Sequence, residues 1–475
     1  MSAVFKPDDV QGNIVRGYRK ARVRHLVLEI TGRDAARRWL VARVSGRDDV
    51  TQITPETTWT AKPDTCFNIG VTYEGLRALG TPQAWLDTFP TEFIEGMNAR
   101  ALKLGDAGPS APENWPAPFD KPKQIHLIAT IYANELDLLQ RVQDQALAGE
   151  TGLKLLGTRE GWNFHGNDVH FGYRDNISQP RFPGIHEPDE HPDAQPLAPL
   201  GTVLLGYPTN FEGLTWRIPD PDVLGRNGTF NAFRVLEQDV VGFEEYLDST
   251  ATELLQHPHV DELLPPGKET TIGAGLSRHA ALREIVAANM CGRWRNGVPL
   301  ATSPDTPEPA PDVKANLTNF DYAADSGCPY GAHVRRCNPR GGQIVQRVAN
   351  HSRRLVRRGM PYGPPFKYDP AATNKEAERK QERGLLGNFI GANLGAQFEA
   401  MSCDWLNLGL QDPRITGSND PIVGANEPET SWFDLPLKSG VIRLPGLPRF
   451  VLTRGGAYTF LPSIPAIRFL GSLTI

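Results

Sequence analysis

The residues best suited to chemistry are concentrated between Ser326 and Gly363, in the stretch SGCPYGAHVRRCNPRGGQIVQRVANHSRRLVRRGMPYG. His333 lies inside a first basic segment, and His351 precedes a second, Arg353 to Arg358, which runs into a Met-Pro-Tyr-Gly turn. A neutral imidazole is a common axial ligand of haem iron. A guanidinium on the opposite side of the ring can stabilise the negative charge that appears as a peroxide O–O bond breaks. Composition alone does not choose between the two histidines. The chain has 11 His and 50 Lys and Arg, and an imidazole beside arginines is more often an ordinary surface or core residue.

These groups need a scaffold, and 475 residues are ample for a large core and for two or more domains. A net charge of −5, from 50 Lys and Arg against 55 Asp and Glu, gives no electrostatic case for nucleic acid or an anionic membrane surface, so the expected partner is a small molecule. MSAVFKPDDVQGNIVRGYRK contains no apolar run of signal-peptide length, and no stretch has the ~18 consecutive apolar residues of a membrane span. This predicts a cytoplasmic protein. Five cysteines without CxxC spacing argue against a disulfide framework or a zinc site.

The periodicity predicts strands at His25–Ile30, Cys66–Val71 and Gln124–Tyr132, and helices from Asp34 to about Val44 and from about Asn134 to Ala146. EFIEGMNARA after Thr91 reads as another helix. The order is that of an α+β, ferredoxin-like unit. A second unit is expected from strand-like GTVLLGYP (201–208) and TFNAFRVL (229–236), helical EQDVVGFEEYL, the strand LLGNFIGAN feeding the helix LGAQFEAMSCDWLN, and GAYTFLPS closing the sheet. HEPDEHPDAQPLAPLG (186–201) marks the boundary, giving domains 1–185 and 200–475. His186 and His191 in that segment mimic a metal cluster, but its prolines favour an extended loop. SPDTPEPAPD (303–312) is also read as a loop, and KYDPAATNKEAERKQERG as a charged connector turning helical near its end.

CPYGAHVRRCNPR and RRGMPYG resemble segments of the dye-decolorizing (DyP-type) haem peroxidases. So do VQGNIVRGY (10–18), FGYRDNISQP (171–180), RGLLGNFIGANLGAQFEAMSCDW (383–405) and TRGGAYTFLPS (453–463), in the expected order over nearly the whole chain. The resemblance implies duplicated ferredoxin-like domains with antiparallel sheets, haem b (iron protoporphyrin IX) in the C-terminal half, and hydrogen peroxide and a small organic reductant as substrates. It makes His333 the iron ligand, with Glu399 accepting the hydrogen bond of its other ring nitrogen. It also assigns Asp175 as the acid-base group that moves the peroxide proton, and Arg357 as the charge-stabilising guanidinium. Arg358 is the alternative to Arg357, and either could contact the haem propionates. Trp405, Tyr362 and Tyr458 are candidate electron relays, but simple packing is the commoner role of such aromatics and the favoured one for each.

One position departs from the family pattern. Gly172, Tyr173, Arg174, Asp175 are followed by Asn176 where the motif has glycine. Asn tolerates a left-handed backbone better than most residues, yet its amide adds bulk and donors beside the haem. Asn176 is therefore counted among the cofactor-binding residues, and a haem carrier or a redirected oxidation enzyme with weak peroxidase activity stays open. The terminal GSLTI resembles the tails of encapsulin cargo, but it follows FLPSIPAIRFL without a linker, which favours an ordinary domain end. A homo-oligomer is compatible with the sequence.

Overall fold

β-Branched, aromatic and leucine-rich runs of seven to eleven residues become the long strands of one sheet. The computed structural model describes residues 5–186, 197–309, 317–318, 320–322, 327–342, 353–369 and 375–473. In chain order the strands are β1 (Arg22–Ile30), β2 (Thr65–Val71), β3 (Leu127–Ala133), β4 (Leu153–Trp162), β5 (Thr229–Gln238), β6 (Val356–Arg357), β7 (Met360–Tyr362), β8 (Gly384–Gly391), β9 (Trp432–Pro436), β10 (Val441–Pro445) and β11 (Val451–Leu461). Nine of them form a sheet of order β4-β1-β3-β2-β11-β5-β8-β6, with β7 also on β8, while β9 and β10 make a separate hairpin. Every pairing is antiparallel. The order falls into two halves, β4-β1-β3-β2 and β11-β5-β8-β6, joined by the single pairing Phe460↔Val71. This is the expected α+β architecture of duplicated ferredoxin-like units.

Helices Arg33–Ala42 and Leu136–Ala146 put Trp39, Leu40, Leu139 and Val142 into a core with the β1–β3 side chains. Helices Val240–Leu254 and Arg278–Cys291 bury Phe243, Leu247, Leu282 and Val286 in a second core that also receives Phe433, Leu435, Ile442 and Leu444 of the hairpin. The Gly455–Gly456 pair in β11 has a steric reason. A Cβ at Gly455 would lie 2.3 Å from the Phe119 ring, and one at Gly456 would lie 2.3 Å from the Met97 sulfur. The strand also shifts register between Thr453 and Gly455, so the glycines let it bulge against the neighbouring layer.

Three sequence expectations require correction. GTVLLGYP is not a strand: Leu200–Thr202 is a single 3-10 turn, Leu204 N donates to Leu200 O at 2.8 Å, and Gly206 has φ +97°. Its apolar residues Val203, Leu204, Leu205 and Tyr207 are buried as a loop, which gives the same hydrophobic signal as a buried strand. EFIEGMNARA breaks at Gly96 (φ +78°) into Thr91–Glu95 and the turn Met97–Arg100. LGAQFEAMSCDWLN is wound as π-helix over Leu394–Glu399 and Met401–Asn407, a wide turn found frequently at functional sites. β4, the β9–β10 hairpin and helix Arg278–Cys291 have no counterpart in the sequence reading. His191 and His351 lie outside the described residues.

Candidate active site

The segment after β4 places Asp175. Gly172 turns at φ +78°, where a Cβ would meet Arg295 Nη1 at 2.5 Å, and Asp175 N donates to Asn167 O at 2.9 Å. Arg295 also holds Glu284 and Glu244 at 3.0 Å each and donates to Phe171 O, which anchors the turn to the two helices of the second core. Asn176 has φ +62°, the left-handed conformation expected at a glycine position. The left-handed turn accommodates Asn176, and the carrier reading drawn from Asn176 finds no support.

Arg357 comes from β6, opposite Phe389 of β8. The Gln179 amide pairs with it like a strand residue: Nε2 donates to Arg357 O at 3.0 Å, and Arg357 N donates to Oε1 at 3.1 Å. Arg357 Nη2 donates to Ser178 O at 2.9 Å, and Nη1 lies 3.8 Å from Asp175 Oδ1. Acid and guanidinium are thus held side by side by a loop and a strand that brace each other. Arg358 points elsewhere, donating to Asn13 O at 2.8 Å and Val15 O at 3.0 Å. This alternation is what adjacent residues at a strand end produce.

His333 opens the short helix His333–Cys337. Arg336, almost fully buried, ties that helix down through Gly331 O (3.0 Å), Trp405 O (3.1 Å), Ser418 O (2.9 Å) and Ser418 Oγ (2.6 Å). His333 Nδ1 lies 3.0 Å from Asp420 Oδ2. Asp420 Oδ1 accepts the Ile422 and Val423 amides at 2.9 Å each. Burial opposes charge on Asp420, but His333, Arg336 and the Val423 amide hold its pKa below the usual carboxylate range. An ionised Asp420 keeps the proton on Nδ1 and leaves the Nε2 lone pair to a metal. Burial likewise opposes a charged imidazole, yet Cys337 and Asp420 raise the His333 pKa well above its ordinary value, and the proton on Nε2 is the one that iron displaces.

The acceptor of His333 is therefore Asp420 and not Glu399. Glu399 is fully buried on another side of its π-helix, where it receives Arg100 Nε at 3.0 Å, Arg100 Nη2 at 2.6 Å and the Tyr458 hydroxyl at 3.0 Å, with Lys103 at 3.6 Å. Asp420 was missed because TGSNDPIV reads as a Gly-Pro turn with no periodicity. Glu399→Gln removes the buried carboxylate shared by Arg100 and Lys103 and leaves Arg100 only its partly exposed partner Glu95. The expected result is a loss of about 3 kcal/mol in denaturant-induced unfolding, with the visible spectrum of haem-loaded protein unchanged.

Asp175, Arg357 and His333 all line one cavity of about 390 Å³, within the range of roughly 300–1,000 Å³ typical of cofactor sites. Its walls are largely apolar, with Leu236, Leu355, Phe389, Phe398, Ile422 and Val451 among them. The His333 side chain keeps 26% of its surface accessible there. Three buried arginines, Arg293, Arg340 and Arg354, share the lining. Burial, reinforced by Arg293 and Arg354, lowers the Arg340 pKa to about 10, and burial lowers that of Arg354 to about 10. Guanidinium groups lining an apolar cavity can give charge-assisted hydrogen bonds to an anionic ligand there. An apolar slot, one imidazole with a free nitrogen and a cluster of buried cations together fit a haem, whose two propionates supply the anions. Among the described residues no group of three or more His, Cys, Asp or Glu could hold a bare metal ion.

A second hollow, of about 340 Å³, adjoins the cavity and shares Asp175 and Arg357 with it; Asn176 and Arg358 line only this hollow. Both were expected to touch the cofactor, and both instead face the adjoining space. Behind its wall, Glu56 is buried, lies 3.1 Å from Arg16 Nε as an ion pair and accepts the Arg16 backbone amide at 3.3 Å. Burial pushes its pKa up to about 7. Because the folded-state value lies above the unfolded one, Glu56 binds its proton more tightly in the native protein. Its contribution is fully present below about pH 4.5 and is lost as pH rises through 7. Between those limits Glu56→Gln is expected to remove a decline on the order of 2 kcal/mol in unfolding free energy, read from denaturation curves at stepped pH.

Residues 9–151 match the family model described as "DyP dimeric alpha+beta barrel domain". Dye-decolorizing peroxidase msp1 of Mycetinis scorodonius is 29% identical, the alignment covering 98% of this chain and 88% of that protein. Multifunctional dye peroxidase DyP2 of an Amycolatopsis strain is 27% identical over 98% and 95%. A dye-decolorizing peroxidase solved with 2,6-dimethoxyphenol superposes with a TM-score of 0.77 at 26% identity, covering 99% of this chain and all of that one. The fungal DyP-type peroxidase of Auricularia auricula-judae gives 0.77 at 25% identity over the same shares. No helix among the described residues is long and apolar enough to cross a membrane.

Proposed function

The chain belongs to the dye-decolorizing peroxidase family, and on that premise we propose that it binds haem b and uses hydrogen peroxide to oxidise phenolic or dye-like donors. The observation that carries this reading is the shared cavity. One of its wall residues is an imidazole with its second nitrogen committed to a carboxylate, and two others are a carboxylate and a guanidinium 3.8 Å apart.

Bound haem iron would supply the two-electron reduction of peroxide and the stepwise return of those oxidising equivalents to organic donors. His333 Nε2 would hold the iron, while its Nδ1–H, donated to Asp420, makes the imidazole a stronger electron donor. Asp175 would accept the proton from one peroxide oxygen and deliver it to the other, so that the second oxygen leaves as water. Arg357 would orient the peroxide and stabilise the negative charge that builds up as the O–O bond stretches. Arg293, Arg340 and Arg354 would receive the propionates.

The test is the visible spectrum of haem-reconstituted protein before and after one equivalent of hydrogen peroxide, followed by turnover of 2,6-dimethoxyphenol. A Soret band that shifts within the mixing time, and donor oxidation that requires peroxide, are expected. A haem spectrum that peroxide does not move would overturn the assignment.

A further inference from the structure

β6 ends the main sheet and is two residues long, so β8 supports it on one side only. Toward β8, Arg358 N donates to Asn388 O at 2.9 Å. The N–H and C=O of Arg357 are left for the open side, and a bare strand edge of this kind needs partners. Gln179 supplies both: Nε2 donates to Arg357 O at 3.0 Å, and Oε1 accepts Arg357 N at 3.1 Å. Arg357 O also receives Arg358 Nη1, at the longer distance of 3.3 Å. A primary amide carries a donor and an acceptor side by side, as a peptide group does. Gln179 therefore acts as one rung of an extra strand.

The rung stands on a fixed base. Pro180, which is buried, confines the Gln179 backbone to extended conformations. Ile177 is seated on Gly297, where a Cβ would come within 2.3 Å of Ile177 Cδ1, and Arg174 N donates to Arg295 O at 2.8 Å. Ser178 takes the other end of the same arginine, its carbonyl accepting Arg357 Nη2 at 2.9 Å. Two adjacent loop residues thus hold Arg357 by its backbone and by its guanidinium, and both border the haem-sized cavity. The Arg357 side chain is 44% exposed, so packing alone does not fix it, and a shift of its backbone carries the guanidinium along.

Resting on the peroxidase reading, we propose that Gln179 is a positioning residue for peroxide cleavage: by clamping the Arg357 backbone it sets the distance from the guanidinium to the breaking O–O bond. It acts through Arg357 and not on the peroxide itself. A displacement of about 1 Å in such a group can cost about 10²-fold in rate.

The experiment is a double-substitution cycle on the haem-loaded protein with Gln179→Leu, Arg357→Leu and the two together. It is read by the rate with hydrogen peroxide and by the dissociation constant of fluoride, an anion whose place on ferric haem a nearby guanidinium stabilises. Gln179→Leu should slow the peroxide reaction and weaken fluoride by about tenfold each, with the Soret band in place. In the Arg357→Leu background the same change should do nothing further, because the group it positions is gone. Gln179→Glu adds a reading that lost packing would not give. As a carboxylate it offers the Arg357 carbonyl no donor, but as an acid it donates and accepts as the amide does. Its rate relative to wild type should therefore recover as pH falls from about 7 to about 4. Exchange of the Arg357 amide hydrogen, which needs no haem, should quicken about tenfold or more in Gln179→Leu. Additive losses in the cycle, a Gln179→Leu protein with unchanged rate and fluoride affinity, a Gln179→Glu deficit that pH leaves unmoved, or unchanged amide exchange overturns the proposal. If peroxide moves no haem spectrum while fluoride affinity depends on Gln179 only when Arg357 is present, the peroxidase reading has failed and the clamp stands. If peroxide reacts and the losses are additive, the reverse holds.

Discussion

Asp175→Asn should slow the reaction of the haem-loaded protein with hydrogen peroxide by about two to four orders of magnitude, the range expected for removing a positioned acid-base group. Asparagine matches the shape of aspartate and keeps its acceptor oxygen, but it cannot take a proton and return it. The backbone bond from Asp175 N to Asn167 O does not involve the side chain, so the turn should persist. Stopped-flow measurement of the second-order rate with peroxide, alongside the resting spectrum, separates the chemistry from folding. The rate should collapse while the Soret band stays in place. Arg357→Leu should give a fall of about 10²–10³ by a different route, the loss of a fixed positive charge beside the breaking bond. An Asp175→Asn protein as fast as wild type would remove Asp175 from the mechanism, and the 3.8 Å pair with Arg357 would then be only an ion pair at the cavity mouth.

The other large effect is expected at His333. His333→Ala should abolish the axial bond to iron, seen as loss of the Soret band of the loaded protein or its displacement to that of weakly held haem. Asp420→Asn makes the sharper comparison. It keeps the His333 ring and the acceptors of the Ile422 and Val423 amides, but replaces the anion that holds the Nδ1 proton with a neutral amide. Iron should still bind, with affinity or activity reduced by about 10–100-fold, as for other partners of metal-bound histidines. A spectrum indifferent to His333→Ala would displace the iron ligand to another residue. Equal, mild effects from Asp420→Asn and Glu399→Gln would remove the distinction drawn between the two carboxylates.

The sequence by itself determined the parts that depend on local pattern. Long apolar runs dictated most of the strands of the main sheet, because burial of alternating or continuous β-branched and aromatic residues is a property of a few adjacent positions. Two local features beside the cavity were legible in the same way. The turn residues around Asp175 place a left-handed residue at Asn176, and the two arginines at the end of β6 diverge as strand geometry requires. Buried turns misled the same reading, since Val203, Leu204 and Leu205 are as apolar as a strand but fold back on a glycine.

Only the tertiary structure decided which distant groups meet. Glu399 and Asp420 are both buried acids near the end of the chain, and no periodicity distinguishes them. The π-helical winding of 394–407 turns Glu399 toward Arg100 and Tyr458, while an irregular loop brings Asp420 to His333, 87 residues away. The clustering of Arg293, Arg340 and Arg354 around one cavity, and of Arg16, Arg19 and Arg181 around the next, likewise joins segments far apart in sequence. Charge counted along the chain sums to −5 and conceals both groups. Such clusters are made through space, so they exist only once the chain has folded.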